Sequence, residues 1–102
     1  MFTLLTDTNY KQSIESTEAG LLICFKKLCP HCKNMEKVLE KFSKNNVDVS
    51  FFKLDSEANP GVMKTLNTER IPTIVVIKNG EIAAQKSGLM NPKEMKVFYQ
   101  NS

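Results

Sequence analysis

Hydrophobic and polar residues alternate along this chain with two periods, one suited to helices and one to strands. Met35, Val38, Leu39 and Phe42 fall at i, i+3, i+4 and i+7 with charged residues between them, the stripe of an amphipathic helix. The pattern predicts the longest helix of the chain, from Pro30 to about Asn45. Just before it, the run LLICF at 21–25 follows Gly20; it is too short for a helix and suits a strand buried on both faces. The segment VDVSFF at 47–52 alternates and then turns apolar, and TIVVI at 73–77 is β-branched throughout. Both are predicted strands. Asn79-Gly80, set between Ile77 and Ile82, predicts a tight hairpin to a final antiparallel strand.

Shorter signals complete the order. Residues 2–5 form a brief apolar segment, after which Thr6 or Asp7 would cap a first helix carrying Tyr10 and Ile14 inward. Asn59-Pro60-Gly61 opens a short helix with Val62, Met63 and Leu66, and Asn91-Pro92 starts a terminal helix that would pack Met95, Phe98 and Tyr99 on the sheet. The expected order is β-α-β-α-β-α-β-β-α, an α/β sandwich that is parallel early and ends in a hairpin.

Composition adds bounds to this picture. With 102 residues, 41% hydrophobic and 25% charged, the chain has room for one compact domain over 1–102, and no Pro-, Gly- or Ser-rich run or repeat divides it. The net charge of +3 is spread among lysines that alternate with glutamates, as in KNMEKVLEKFSK. That is solvated helix surface rather than a nucleic-acid patch. No apolar run approaches the roughly 18 residues of a membrane span, and the opening residues MFTLLTDTNYKQ lack a basic region followed by an apolar one. A cytoplasmic monomer with no nucleic-acid or membrane partner is expected. In that compartment thiols are held reduced, and disulfides are transient and catalytic rather than structural.

The candidate chemistry lies in FKKLCPHCKNMEKVLEKF, where Cys29 and Cys32 flank Pro30 and the only histidine, His31. A structural disulfide, part of a metal site and a reversible redox pair compete for this motif. A bridge across so few residues removes little unfolded-state entropy, which argues against the first. Cys24, Cys29 and Cys32 do follow a C-x4-C-x2-C spacing known from iron-sulfur proteins, but there is no fourth cysteine. The redox reading draws on position. The pair stands where a buried strand ends and a helix begins, the place where open α/β sheets put their sites. Pro30 suits the first helical position, which makes Cys29 the N-cap with its sulfur near the free amides of His31 and Cys32. Those donors and the helix dipole favour a thiolate, bringing a cysteine from about 8.5 into a range of about 3.5–7.5. Cys29 is then the nucleophile and Cys32, one turn on and less exposed, the resolving thiol. His31, when protonated, would stabilise the thiolate further.

The whole chain resembles the thioredoxin family, on Cys29-Pro30-His31-Cys32 with Lys33 after a buried strand, Asn59-Pro60-Gly61, Arg70-Ile71-Pro72-Thr73, Lys78-Asn79-Gly80-Glu81, and Gly88. The resemblance implies a thioredoxin fold, with a central mixed five-stranded sheet in the order 1-3-2-4-5 flanked by four helices. It also implies a cis Ile71-Pro72 bond facing the cysteines, where the backbone of Ile71 pairs with an extended substrate and Gly88 borders the same site. No cofactor is implied. The implied partners are proteins bearing disulfides and a thioredoxin reductase-like electron donor.

Departures from the family pattern sharpen the expectation. Pro-His replaces the usual Gly-Pro between the cysteines and is the pair of strong bacterial dithiol oxidants, so a more oxidising couple is expected. Leu28 stands where the family has tryptophan. Ile23 stands where it has a buried aspartate, leaving Lys53, aided by water, as the candidate for moving the Cys32 proton. The function expected is reduction of protein disulfides through Cys29 and Cys32. A thiol oxidase or isomerase, and a non-catalytic metal-binding module on the same fold, are the alternatives.

Overall fold

The computed structural model describes residues 2–102. Its elements are β1 (Thr3–Leu5), α1 (Tyr10–Glu15), β2 (Ala19–Phe25), α2 (Pro30–Ser43), β3 (Ser50–Asp55), α3 (Pro60–Leu66), β4 (Thr73–Lys78), β5 (Glu81–Ser87) and α4 (Pro92–Gln100). The five strands form one sheet in the order β1-β3-β2-β4-β5, the order implied by the resemblance. β3 runs parallel to both β1 and β2, while β4 is antiparallel to β2 and β5.

The central strands β2 and β4 are buried on both faces, their successive side chains pointing to opposite sides. Leu22, Cys24, Phe52, Leu54, Val75 and Ile77 meet Ile14, Val62, Met63 and Leu66 from α1 and α3. On the other face Leu21, Ile23, Phe51, Ile74 and Val76 meet Met35 and Leu39 of α2 and Met95 of α4. The predicted α2 stripe is the packing face: Met35 and Leu39 are fully buried, and Val38 and Phe42 pack against the same cluster. Phe42 lies edge-on to Phe51 and Tyr99, with ring centroids 6.4 and 5.3 Å apart.

The hairpin follows from its turn residues. Asn79 and Gly80 both have positive φ, 54° and 77°, as a two-residue turn matched to strand twist requires. Gly80 is fixed sterically too, since a Cβ there would stand 2.7 Å from the Glu15 carbonyl oxygen. At the far end, the box formed by Asn91 and Glu94 caps α4: Glu94 N–H donates to Asn91 Oδ1 and Asn91 N–H to Glu94 Oε1.

Two local expectations are corrected. The strand predicted over 47–52 begins at Ser50, because Val47 lies in a turn closed by Val49 N–H donating to the Asn46 carbonyl and is 85% exposed. Asp7 does not cap α1. That helix starts after Asn9 without any side-chain cap, although the Thr6 carbonyl accepts from Asn9 and Tyr10 in the preceding turn. Instead the Asp7 carboxylate accepts from Gly61 N–H at 3.1 Å and Val62 N–H at 2.8 Å, the free amides of α3. The N-cap residue of α3, Asn59, makes no cap bond of its own; its Oδ1 accepts from Asp7 N–H and its amide donates to the Asp55 carbonyl. A carboxylate at this helix start also faces the positive end of the dipole.

Asp7→Ala is therefore expected to lower stability by about 1 kcal/mol, the usual worth of a helix cap, with Asp7→Asn recovering part of it. Urea unfolding of both variants checks this; an unchanged midpoint for Asp7→Ala would show that the cap contributes nothing.

Candidate active site

β2 delivers the chain to the site. It ends at Phe25, and residues 26–28 carry it over the sheet edge to α2. In this bend Leu28 adopts φ +57° and is 95% exposed, a left-handed conformation that a branched side chain occupies at a cost of roughly 1–2 kcal/mol. Cys29 returns to extended geometry as the N-cap of α2, and Pro30 occupies the first helical turn. Here the proline forfeits no intrahelical bond. Cys32 N–H donates to Cys29 Sγ at 3.2 Å, so the cysteine sulfur fills the capping role usually taken by an oxygen.

Cys29 and Cys32 are joined in a disulfide with their Cα atoms 5.2 Å apart. Cys29 is 8% exposed and Cys32 2%. The difference has a geometric source: Cys29 precedes the helix at its rim, whereas Cys32 is inside the first turn. Pro30 and His31 are exposed on the outer side of that turn, with Lys26, Lys27 and Lys33 also in solvent.

The second wall is the start of β4. Thr73 pairs with Cys24, which places Pro72 level with Phe25 at the end of the sheet that carries the disulfide. The Ile71-Pro72 bond is cis. Thr73, completely buried, donates its hydroxyl to the Arg70 carbonyl at 2.6 Å and meets Ser87 Oγ at 2.8 Å. Thr68 Oγ1 lies 3.5 and 3.4 Å from the same two hydroxyls. This cluster ties the 70–72 loop to β5. Gly88, φ +96°, donates its N–H to the Pro72 carbonyl at 2.9 Å, and Leu89 beside it is exposed. A Cβ on Gly88 would meet nothing, so glycine is required there by conformation alone.

The structure thus brings Cys29, Pro30, His31, Cys32, Ile71, Pro72 and Gly88 to one end of the sheet. Lys53 is placed further down, opposite Ile23 on β3, and is held by other groups. Its Nζ stands 3.7 Å from Glu36 Oε1 on α2 and 5.4 Å from the Phe25 ring centroid. Leu28 and Leu89 are exposed apolar residues that the residue pattern does not mark, because exposure is a property of the assembled fold.

Cys24 does not join the pair. It is buried in the α1/α3 cluster on the sheet face away from α2, and burial pushes its thiol from 9.0 up to about 12. The C-x4-C-x2-C spacing therefore does not gather three thiols, and among the described residues no three His, Cys, Asp or Glu side chains converge. No helix among them is long and apolar enough to cross a membrane.

The comparisons with known proteins agree with this geometry. The family described as thioredoxin matches residues 1–101. A thioredoxin of Buchnera aphidicola is 33% identical over 98 residues, covering 92% of this chain and 89% of that one. A thioredoxin of Alicyclobacillus acidocaldarius is 33% identical over 91 residues, covering 88% and 86%. Among solved structures, the reduced form of desulfothioredoxin from Desulfovibrio vulgaris Hildenborough superposes with a TM-score of 0.85 at 43% identity, over 90% of this chain and 88% of that one.

A thiol whose folded pKa exceeds its unfolded value contributes stability below the unfolded pKa and loses it as pH rises toward the folded one. Cys24 should therefore make the protein less stable between about pH 9 and 12. Cys24→Ala is expected to flatten that alkaline fall in stability, measured by urea midpoints against pH. In the native reduced protein Cys24 should also resist iodoacetamide while Cys29 reacts.

Proposed function

The chain belongs to the thioredoxin family of protein-disulfide reductases, and from that premise we propose that it reduces disulfides in protein substrates through Cys29 and Cys32. The observation that carries the reading is the disulfide at the start of α2, with the more exposed sulfur in the capping position. In the reduced protein the Cys29 thiolate attacks a substrate sulfur. A Cys29–substrate bond forms, the substrate disulfide breaks, and its departing sulfur takes up a proton. Cys32 then loses its proton and attacks Cys29, closing the 29–32 disulfide and releasing the second substrate thiol. An outside electron donor, a thioredoxin reductase-type flavoprotein, restores the dithiol.

The surrounding residues support this cycle. An extended substrate strand lies along Ile71 and Pro72, with Gly88 leaving open space above. Exposed Leu28 and Leu89 supply apolar contact at the rim. The protein works as a single-domain cytoplasmic monomer without a cofactor of its own. Pro30 and His31 set the couple toward the oxidising side of ordinary thioredoxins: whatever favours the thiolate of the reduced form, with less to act on in the disulfide, makes the pair a stronger oxidant. A positive charge on His31, two residues after the cap, would do so, and the same feature suits oxidation or isomerisation of substrates where the redox poise permits.

Two outcomes test the roles. Cys29→Ser should abolish disulfide reduction, whereas Cys32→Ser should still attack and accumulate mixed disulfides with its substrates, visible on non-reducing gels. Alkylation at low pH that labelled Cys32 ahead of Cys29 would reverse the assignment. His31→Pro should raise the Cys29 pKa and move the potential more negative by on the order of 30 mV, a tenfold change in the exchange constant. Thiolate absorbance and glutathione equilibration report both quantities, and no change in either would leave His31 as a solvated helix residue.

A further inference from the structure

The resolving step has a requirement that the disulfide motif does not meet. Cys32 must lose a proton before it can attack, yet it is 2% exposed. The α2-facing side of β2 offers no acceptor, since Ile23 is fully buried and apolar and Phe25 is aromatic. One carboxylate lies on the Cys32 face of α2. Glu36 follows Cys32 by four residues in the continuous helix Pro30–Ser43, which sets the two side chains one above the other with Cβ atoms about 5–6 Å apart. The only ion pair among the described residues holds it there, Lys53 Nζ to Glu36 Oε1 at 3.7 Å. Lys53 is itself seated beside the Phe25 ring at 5.4 Å.

Other charged groups nearby are otherwise engaged or face away. Asp55 shares a sheet face with Lys53, two residues along β3, but its Oδ1 accepts from the N–H groups of Glu57 and Ala58 at 3.0 and 3.3 Å. On α2 itself Lys33 and Glu40 flank Glu36 and are exposed. Lys93 and Lys96 of α4 approach α2 around Lys41, Phe42 and Asn45, more than a turn beyond Glu36.

We propose that Glu36 is the proton acceptor for Cys32, with Lys53 as the positioning residue that holds its carboxylate toward the first turn of α2. The inference rests on the dithiol cycle described above. In the mixed disulfide, the Cys32 S–H proton passes to Glu36, directly or through one water. The electron pair left on Cys32 Sγ forms the bond to Cys29 Sγ, and the bond from Cys29 to the substrate sulfur breaks with its electron pair on that sulfur. The departing thiolate takes up the Glu36 proton, or takes one from solvent while Glu36 returns its own to solvent; either way the carboxylate is regenerated.

Ellman's reagent separates the steps, because attack by Cys29 releases one thionitrobenzoate and attack by Cys32 the second. Stopped-flow release would be followed from pH 5 to 10 for the parent protein, Glu36→Gln and Lys53→Met. Glu36→Gln should leave the first phase unchanged and slow the second about 100-fold at neutral pH, the lower end of what a positioned base contributes. The lost rate should return in proportion to hydroxide as pH rises. Lys53→Met should slow the second phase less, because the carboxylate remains. A second phase in Glu36→Gln equal to that of the parent at every pH would overturn the proposal. Absence of either phase in the parent would instead overturn the dithiol cycle itself.

Discussion

Strand β2 is bonded on both edges, and the site exists because of the register that this imposes. It pairs parallel with β3 and antiparallel with β4, and its residues 20–24 are buried between two helical layers. Paired on both edges, the strand cannot slip by one residue without transferring Leu21 and Ile23 to the wrong face. Its last residue, Phe25, is held at a defined height, and α2 begins a few residues later. The antiparallel pairing also brings the start of β4 to the same end of the sheet, which is why Pro72 and the disulfide lie at one end although 40 or so positions separate them in the sequence.

The helix start converts that placement into chemistry. Free amides at a helix N-terminus and the dipole behind them favour negative charge, and here a sulfur stands in the capping position with an amide donating to it. The adjoining thiol is one turn inside the helix and nearly enclosed. Two identical residue types thus acquire different surroundings from a displacement of one turn: Cys29 Sγ stands at the helix rim with an amide donating to it, and Cys32 is enclosed within the first turn. The hydroxyl cluster of Thr68, Thr73 and Ser87 does the corresponding work across the groove by tying the 70–72 loop to β5, and a fully satisfied polar cluster of this kind rigidifies its surroundings.

Much of this was legible in the residue pattern. Apolar spacing identified α2 and its packing face, the β-branched run identified β4, Asn79-Gly80 the hairpin, and Pro30 after Cys29 the capping position of the sulfur. These are local signals: side-chain periodicity, fixed φ at proline and positive φ at glycine act within a few residues, so they can be read without knowing the fold. The element order followed from them; the sheet order came only from the family resemblance.

What the tertiary structure decided involves partners distant in the chain. Asp7 has the composition of a local cap, yet its carboxylate serves α3, because the sheet brings residues 7 and 61 together and the α3 amides are the unpaired donors within reach. Val47 has strand propensity but no neighbouring strand edge to bond, so it lies in a turn. Cys24 shares a motif-like spacing with the active pair, and strand alternation sends it to the opposite face, where burial makes it inert. Lys53 and Glu36 meet only because β3 lies under α2. Capping and periodicity are short-range, so the residue order alone sets the local geometry that puts Cys29 Sγ at a helix start; which charges, hydroxyls and backbone groups surround it depends on strand register, a property of the assembled sheet.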